Sequence, residues 1–240
     1  ESTITVTSAS GVLADQVAEH TVALVTASLR NLPRFFEAQK NHEFVRRPTR
    51  DLHRAKIGIV GFGGVGRRVA ELLTPFRTRI VATDMFPKSE QDVDVWPASR
   101  LQELLSQSDI VILCAPLTDQ TRGMINSEAL SSMPTHGVLV NVARGQLVVE
   151  SDLVEALQSG VISAAALDVT WDEPLPANSL LWDMPNVLIT PHVAGQSARR
   201  IDEMTTFFCN NLVRYQRGDP LINVVDKQLG YPIPPHAKPG

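Results

Sequence analysis

The sequence predicts an α/β protein built on a doubly wound parallel sheet, and three observations carry that expectation. Short apolar runs rich in β-branched residues alternate with stretches whose apolar residues recur at helical intervals, the pattern of parallel βαβ crossovers. A glycine-rich turn joins one such run to the helical stretch after it. Polar or charged residues follow directly after most runs, at the sheet edge where ligands gather in folds of this kind.

Taken in order, residues 1–9 form a short polar and β-branched lead-in, punctuated by Ser10-Gly11. From Val12 to Leu32, Val17, Thr21, Leu24, Val25, Ser28 and Leu29 recur at three-and-four spacing, which predicts a long amphipathic helix closed before Pro33. Its apolar content is high for a surface helix, so a second packing partner is expected. His20 on it reads as a structural histidine, hydrogen-bonded at a helix face. Residues 33–55 are polar, hold Pro33 and Pro48, and read as a connection with one irregular helix.

The segment KIGIVGFGGVGRRVAELLTPFRTRIVATD, Lys56 to Asp84, is the centre of the chain. Ile57 to Val60 is the β-branched kind of run that a strand buried on both faces requires. Gly61, Gly63 and Gly66 follow at G-x-G-x-x-G spacing, and Val65, Val69, Leu72 and Leu73 continue at helical intervals. Gly61 permits the tight turn, Gly63 lets the backbone approach a pyrophosphate, and Gly66 lets helix and strand pack closely. The N–H groups of the first helical turn then face an anion, with the helix dipole favouring negative charge there. A second strand, Arg79 to Thr83, ends in Asp84, 18 residues after Gly66, where the ribose hydroxyls of a dinucleotide need an acceptor. A lone glycine pattern is weak, but strand, turn, helix, strand and acid in register favour a nucleotide site over a merely structural turn. An acid at position 84 repels a 2′-phosphate, which favours NAD over NADP, and Lys88 tempers that preference.

Pro97 to Ser108 reads as a short helix and Ile110 to Cys114 as a buried strand, with the turn APLTDQT after it. Val138 to Val142 is another apolar run. Asp152 to Gln158 reads as a helix with Ser151 as its cap and Gly160 as its stop. Ser163 to Leu167 and Val187 to Thr190 supply two more strands, and Arg199 to Arg217 a last long helix ended by Gly218 and Pro220. The tail YPIPPHAKPG is proline-rich and reads as irregular.

Composition narrows the function classes. With 240 residues, 43% of them hydrophobic, the chain can bury a full core and hold one large domain or one and a half. A formal charge of −4 gives no electrostatic reason to expect nucleic acid, and Arg46, Arg47 and Arg50 read as a solvated face. Cys114 and Cys209 read as small buried residues of a reduced, cytoplasmic protein, not as a disulfide. No apolar segment approaches the roughly 18 residues of a membrane span, and no signal peptide opens the chain. No metal-ligand set is expected. The first residue is Glu1 and not Met, so the start reads as processed, engineered or incomplete.

The residues after the strands carry the chemistry. Ala115-Pro116-Leu117-Thr118 and then Thr121 follow the run ending at Cys114, and Ala143-Arg144-Gly145 follow Val142. Asp168 and then Glu173-Pro174 follow Leu167, and Pro191-His192 follow Thr190. Each has a bland reading: a surface charge, a turn cap, a structural histidine. An arginine, two acids and a histidine at successive strand ends on the edge that holds the pyrophosphate turn favour a catalytic reading.

NVARGQLVVESDLVEALQSGVISAAALDVTWDEPLP, followed by NVLITPHVAG, closely resembles the D-isomer-specific 2-hydroxyacid dehydrogenase family. GFGGVGRRVA is similar to that family's nucleotide turn, and VAEHTVAL resembles the helix before its nucleotide domain. The likeness runs from about Val12 to Asn223. It implies a Rossmann-type NAD-binding domain over residues 12–195, opened by a dimer-forming helix at 12–32, with residues 1–11 and 196–240 as remnants of a split, smaller substrate domain. It implies Arg144, Glu173 and His192 as catalytic residues. It implies cofactor contacts at Gly61, Gly63, Gly64, Val65, Gly66, Asp84, Ala115, Pro116, Thr121, Val142, Ala143, Arg144, Asp168, His192 and Gly195, with Asp168 beside the nicotinamide carboxamide.

The activity so implied is hydride transfer between NAD(H) and a small D-2-hydroxy or 2-keto acid, in a cytoplasmic homodimer that engages neither nucleic acid nor membrane. Family members usually carry roughly 100 further residues of substrate domain before the helix at Val12. The chain as given is therefore expected to bind NAD and to turn over slowly or not at all. The alternative is a non-turnover NAD(H)-binding, dimerising module of the corepressor kind, disfavoured because a sensor has no need of Arg144, Glu173 and His192 together. Formate dehydrogenases resemble this family with glutamine in place of Glu173, which argues against formate.

Overall fold

In a computed structural model, described for residues 3–90 and 93–237, seven strands form one parallel sheet. They are β1 (Lys56–Val60), β2 (Arg79–Asp84), β3 (Asp94–Pro97), β4 (Ile110–Leu113), β5 (Val138–Asn141), β6 (Ala164–Leu167) and β7 (Val187–Ile189), in spatial order β3-β2-β1-β4-β5-β6-β7. The winding reverses between β1 and β4, a Rossmann-type arrangement whose crevice opens at the carboxyl ends of those two strands.

Helices cover both faces, which is why the strand runs read apolar throughout instead of alternating. On one face α1 (Ala14–Leu29) and α3 (Gly64–Leu73) pack Leu24, Val25, Val69 and Leu73 against Ile57, Ile59, Ile110 and Ile112. On the other, α4 (Leu101–Gln107), α5 (Ser127–Ser132) and α6 (Glu150–Ser159) pack Leu105, Leu130 and Leu153 against Val60, Val111, Leu113 and Leu139. Burying such a leucine or isoleucine side chain stabilises the fold by about 1.5–3 kcal/mol, so the two layers together hold the carboxyl edge of the sheet rigid. The last helix, α7 (Arg200–Arg217), stands largely in solvent and exposes Ile201, Phe208 and Tyr215.

Several elements differ from the expectation, each for a local reason. The first helix stops at Leu29, and Pro33 opens the next one, α2 (Leu32–Lys40). Asn31 turns the chain at φ 58°, and proline in a first turn gives up an N–H that has no helical partner anyway. β3 and α5 were not anticipated: β3 is an edge strand ending in proline, and α5 is six residues long, capped by Asn126 accepting from the Ala129 N–H. α6 begins at Glu150 with Val149 at its cap, so Ser151 lies inside the first turn and caps nothing. Gly160 and Gly218 end their helices at φ 74° and 72°, as their positions suggested.

The tail is not wholly irregular. Val225–Asp226 and Tyr231–Pro232 form a small antiparallel pair, β8 and β9, and Pro235–Ala237 a helical turn. Its opening strand also joins the lead-in, with the Val225 N–H donating to Val6 O at 2.9 Å and the Ser8 N–H to Asn223 O at 3.0 Å. Residues 1 and 2 of the lead-in and 238–240 of the tail lie outside the described residues. Both cysteines are free; Cys114 is only half-buried against the core, and Cys209 is exposed, contrary to the buried reading, because α7 turns it outward. Among the described residues no helix is long and apolar enough to cross a membrane.

Candidate functional site at the carboxyl edge of the sheet

The glycine turn is built as its spacing required. Gly61 sits at φ 92°, and a Cβ there would lie 2.5 Å from the Ala115 nitrogen, so only glycine lets β1 run that close to the end of β4. A Cβ on Gly66 would collide with the Gly61 carbonyl oxygen, whereas one on Gly63 would meet nothing within 4 Å. The open space at Gly63, at the amino end of α3, is what an approaching pyrophosphate needs. Gly64 faces the lead-in, where a Cβ would come within 2.9 Å of Gly11, and Val65 packs against the core.

Beside the turn lies a cleft of about 240 Å³ lined by Gly61, Asp84, Met85, Ala115, Pro116, Thr118, Thr121 and Met124. That volume suits one end of a dinucleotide. Asp84 is held there by two main-chain donors, the Phe62 N–H at 2.7 Å and the Phe86 N–H at 2.9 Å, one on each oxygen. A carboxylate so held keeps lone pairs free for ribose hydroxyls. The Thr121 hydroxyl donates to Pro116 O at 2.7 Å and fixes the loop after β4. The donors, the open glycine and the acid together fit an NAD(P) group.

The tail closes the cleft with Gln228, Leu229 and Tyr231, which nothing in the sequence pattern pointed to. Burial, reinforced by the charges of Asp84 and Asp226, pushes the Tyr231 phenol above its ordinary value. Arg67, also unanticipated, lies 5.4 Å from the Phe62 ring centroid and pairs with Glu90 at 2.9 Å.

The other half of the site follows β5, β6 and β7. His192 Nδ1 and Glu173 Oε2 are 2.7 Å apart, and both side chains are substantially exposed. Glu173 is further held through Oε1, which accepts from the Thr170 N–H at 3.3 Å. The loop carrying Arg144 lies directly against this segment, since a Cβ on Gly145 would fall within 2.6 Å of the Trp171 nitrogen, and Gln146 donates to Trp171 O at 2.6 Å. Gln146 is thus a tie between the two loops that sequence reasoning missed. The Arg144 guanidinium is exposed and donates to its neighbour's carbonyl, Ala143 O, at 2.6 Å. Val142 and Ala143 are buried behind it, and Gly195 follows the histidine turn, its missing Cβ position 3.5 Å from Leu13.

Asp168 is placed differently from its neighbours. It is 1% exposed, and its carboxylate accepts from the Thr190 hydroxyl at 2.6 Å, the Val193 N–H at 2.9 Å and the Ala194 N–H at 2.9 Å. Its carbonyl accepts from the His192 N–H at 2.7 Å. Asp168 therefore sits beneath the turn in which His192 adopts φ 53°, a left-handed conformation that costs a non-glycine residue on the order of 1 kcal/mol or more. These bonds hold that turn in place.

A family model described as D-isomer-specific 2-hydroxyacid dehydrogenase, NAD-binding domain, matches residues 22–194. The chain is 34% identical over 236 residues to a glyoxylate reductase of Pyrococcus furiosus, covering 94% of this chain and 70% of the relative. It is 35% identical over 217 residues to a glyoxylate reductase/hydroxypyruvate reductase of Homo sapiens, covering 88% and 66%. A crystal structure of a D-isomer-specific 2-hydroxyacid dehydrogenase from Xanthobacter autotrophicus, in complex with NADPH and MES, superposes with a TM-score of 0.87 at 33% identity, over 96% of this chain and 95% of that one. The chain thus spans 70% and 66% of the lengths of these two relatives.

Proposed function

The chain belongs to the D-isomer-specific 2-hydroxyacid dehydrogenase family, and we propose that it transfers a hydride between a nicotinamide dinucleotide and a small 2-keto or D-2-hydroxy acid. The observation that carries this reading is the 2.7 Å contact of His192 with Glu173 at the edge that also holds the glycine turn. Reducing a 2-keto carbon places negative charge on its oxygen, so a proton donor must stand within reach. With Nδ1 committed to Glu173, the His192 Nε2 is the atom left to deliver that proton, and to remove it in the reverse direction. Glu173 fixes the orientation of the ring. Arg144, released from Ala143 O, holds the substrate carboxylate through a planar fork that lysine cannot copy. Bound nicotinamide supplies the hydride. Asp168 acts from below, by holding the histidine turn.

The names of the relatives make glyoxylate and hydroxypyruvate the substrates to try first. The experiment is NADH oxidation by this chain against a panel of 2-keto acids, with His192→Asn as control. Turnover unchanged by that substitution would remove His192 from the mechanism, whereas absence of turnover with every acid would leave the binding-module reading standing.

NAD is the proposed partner of Asp84, whose main-chain-held carboxylate opposes a 2′-phosphate. Tighter binding of NADPH than of NADH would overturn that preference. A homodimer is supported by apolar side chains left in solvent on and after α2, namely Phe36, Phe44 and Val45; light scattering that finds a monomer at micromolar concentration would refute it. Two free cysteines suit a reducing cytoplasm, which cell fractionation would test. Residues 1–11 and 196–240 are proposed as parts of a smaller substrate unit beside a cofactor domain at 12–195, supported by the pairing of the lead-in with the tail. Limited proteolysis that cuts inside 12–195 before its ends would count against that division.

A further inference from the structure

His20 is a polar group that the proposed chemistry does not use, yet it reaches the site from the far end of the sequence. Its ring is largely buried on α1, with Nε2 2.9 Å from Thr190 Oγ1 and 3.4 Å from Asp168 Oδ1. The Thr190 hydroxyl has one proton, and it is directed to Asp168 Oδ1 at 2.6 Å. Only a lone pair of that oxygen remains to face His20, so the His20 Nε2 must carry the hydrogen between them. Asp168 in turn accepts the Val193 and Ala194 N–H groups on its two carboxylate oxygens, and its carbonyl accepts that of His192. A continuous path of hydrogen bonds therefore runs from α1 through Thr190 and Asp168 to the left-handed turn that presents His192 to Glu173.

We propose that His20 is a positioning residue for His192: its Nε2–H, through the Thr190 hydroxyl, locks the Asp168 carboxylate in the orientation that fixes the 192–194 turn. The physical basis is that a buried carboxylate with every oxygen engaged has one orientation, while one that loses a partner can rotate. Packing alone does not replace this, because the turn is held by polar contacts in a conformation its own residue disfavours. The proposal rests on the reading of His192 given above only for its catalytic consequence.

The test uses four variants of the chain. His20→Leu and Thr190→Val remove the donor or the hydroxyl at similar volume, and His20→Gln and Thr190→Ser keep them. Amide exchange at Val193 and Ala194, followed by NMR, is expected to accelerate about fivefold to tenfold in the first pair, the worth of one lost hydrogen bond, with Leu139 and Val140 in β5 unchanged. In glyoxylate reduction, kcat falls by about the same factor in that pair while KM and NADH affinity stay within about twofold, and the second pair restores both readouts. Wild-type exchange in His20→Leu overturns the proposal. So does an equal loss in His20→Gln and His20→Leu, which would make the ring itself responsible and not its donor. Absence of turnover in the unsubstituted chain would count against the proposed function, and exchange alone would then decide the relay.

Discussion

Replacing Gly66 and Gly63 separately with alanine divides packing from binding within one turn. A Cβ on Gly66 would approach the Gly61 carbonyl oxygen closer than 3.0 Å and stand 3.3 Å from Ile59 Cγ2. The oxygen is backbone, in a residue whose own N–H is bound to Thr83 O at 2.8 Å, so no rotamer change relieves the collision and α3 must move off β1. Overpacking of this kind costs about 1–3 kcal/mol, while alanine in a helix returns about 0.8–1 kcal/mol over glycine. The overlap is with a fixed atom, which puts the cost in the upper half of its range and leaves a net loss of about 1–2 kcal/mol. For a chain of this length that lowers Tm by about 2–8 °C. Movement of α3 also spoils the alignment of its first N–H groups, so NADH affinity falls by about tenfold or more. At Gly63 the new methyl group meets no protein atom and the backbone φ of −77° is open to alanine, so the cost is only that of a poorer helix cap, about 0.5–1 kcal/mol, and Tm falls by about 1–4 °C. That methyl instead occupies the space through which a pyrophosphate approaches, and affinity falls by at least about tenfold. Thermal melts by circular dichroism and NADH fluorescence titrations measure both quantities. Gly66→Ala with wild-type melting, or Gly63→Ala with wild-type affinity, would refute the reasoning.

Asp168→Asn leaves one of the facing N–H donors opposed by an amide NH₂, a loss of about 2–4 kcal/mol in urea denaturation; a change under about 0.5 kcal/mol would contradict the account of the 192–194 turn. Burial pushes the Cys114 thiol from an ordinary 9.0 up to about 12, so at pH 8 iodoacetamide should modify exposed Cys209 and spare Cys114. The sign of that shift also predicts pH dependence. Below pH 9.0 the thiol is neutral in both states and its contribution is fully present; between 9.0 and about 12 the unfolded chain releases the proton first and stability falls, a decline that Cys114→Ala should make shallower in that window. For Asp109, burial works against the charge, but the Lys56 N–H and the His136 ring outweigh it and hold the carboxyl below its ordinary 3.8. Its contribution is present above that value and lost as pH falls through the lower folded one, so acid titration of Asp109→Asn should show a flatter decline, and an identical acid limb would refute this.

The legibility of the chain follows the range of the forces involved. Both-face burial leaves uninterrupted runs such as Ile110–Leu113 and Val138–Asn141, and those strands are where the pattern put them. A half-covered edge strand and a six-residue helix leave weaker traces, and β3 and α5 were passed over although Asn126 offered a cap signal. Pro33 carried the right information with the wrong sign: it marked a boundary, but as a beginning instead of an end.

By itself the sequence determined the alternation of strands and helices, the glycine turn with its acid, and the presence of arginine, glutamate and histidine after successive strands. All of these are read from short stretches, a run, a turn or a strand end, with the acid placed by its 18-residue spacing from Gly66. Tertiary structure alone decided that Asp168 faces inward beneath the histidine turn, that His20 reaches it across 170 positions through Thr190, and that the tail returns to close the cleft beside Asp84. The physical reason is that a hydrogen bond between distant segments leaves no periodicity in either one. It exists because the parallel sheet sets β5, β6 and β7 side by side and α1 is pressed against them, and that register is written in the packing of the whole core.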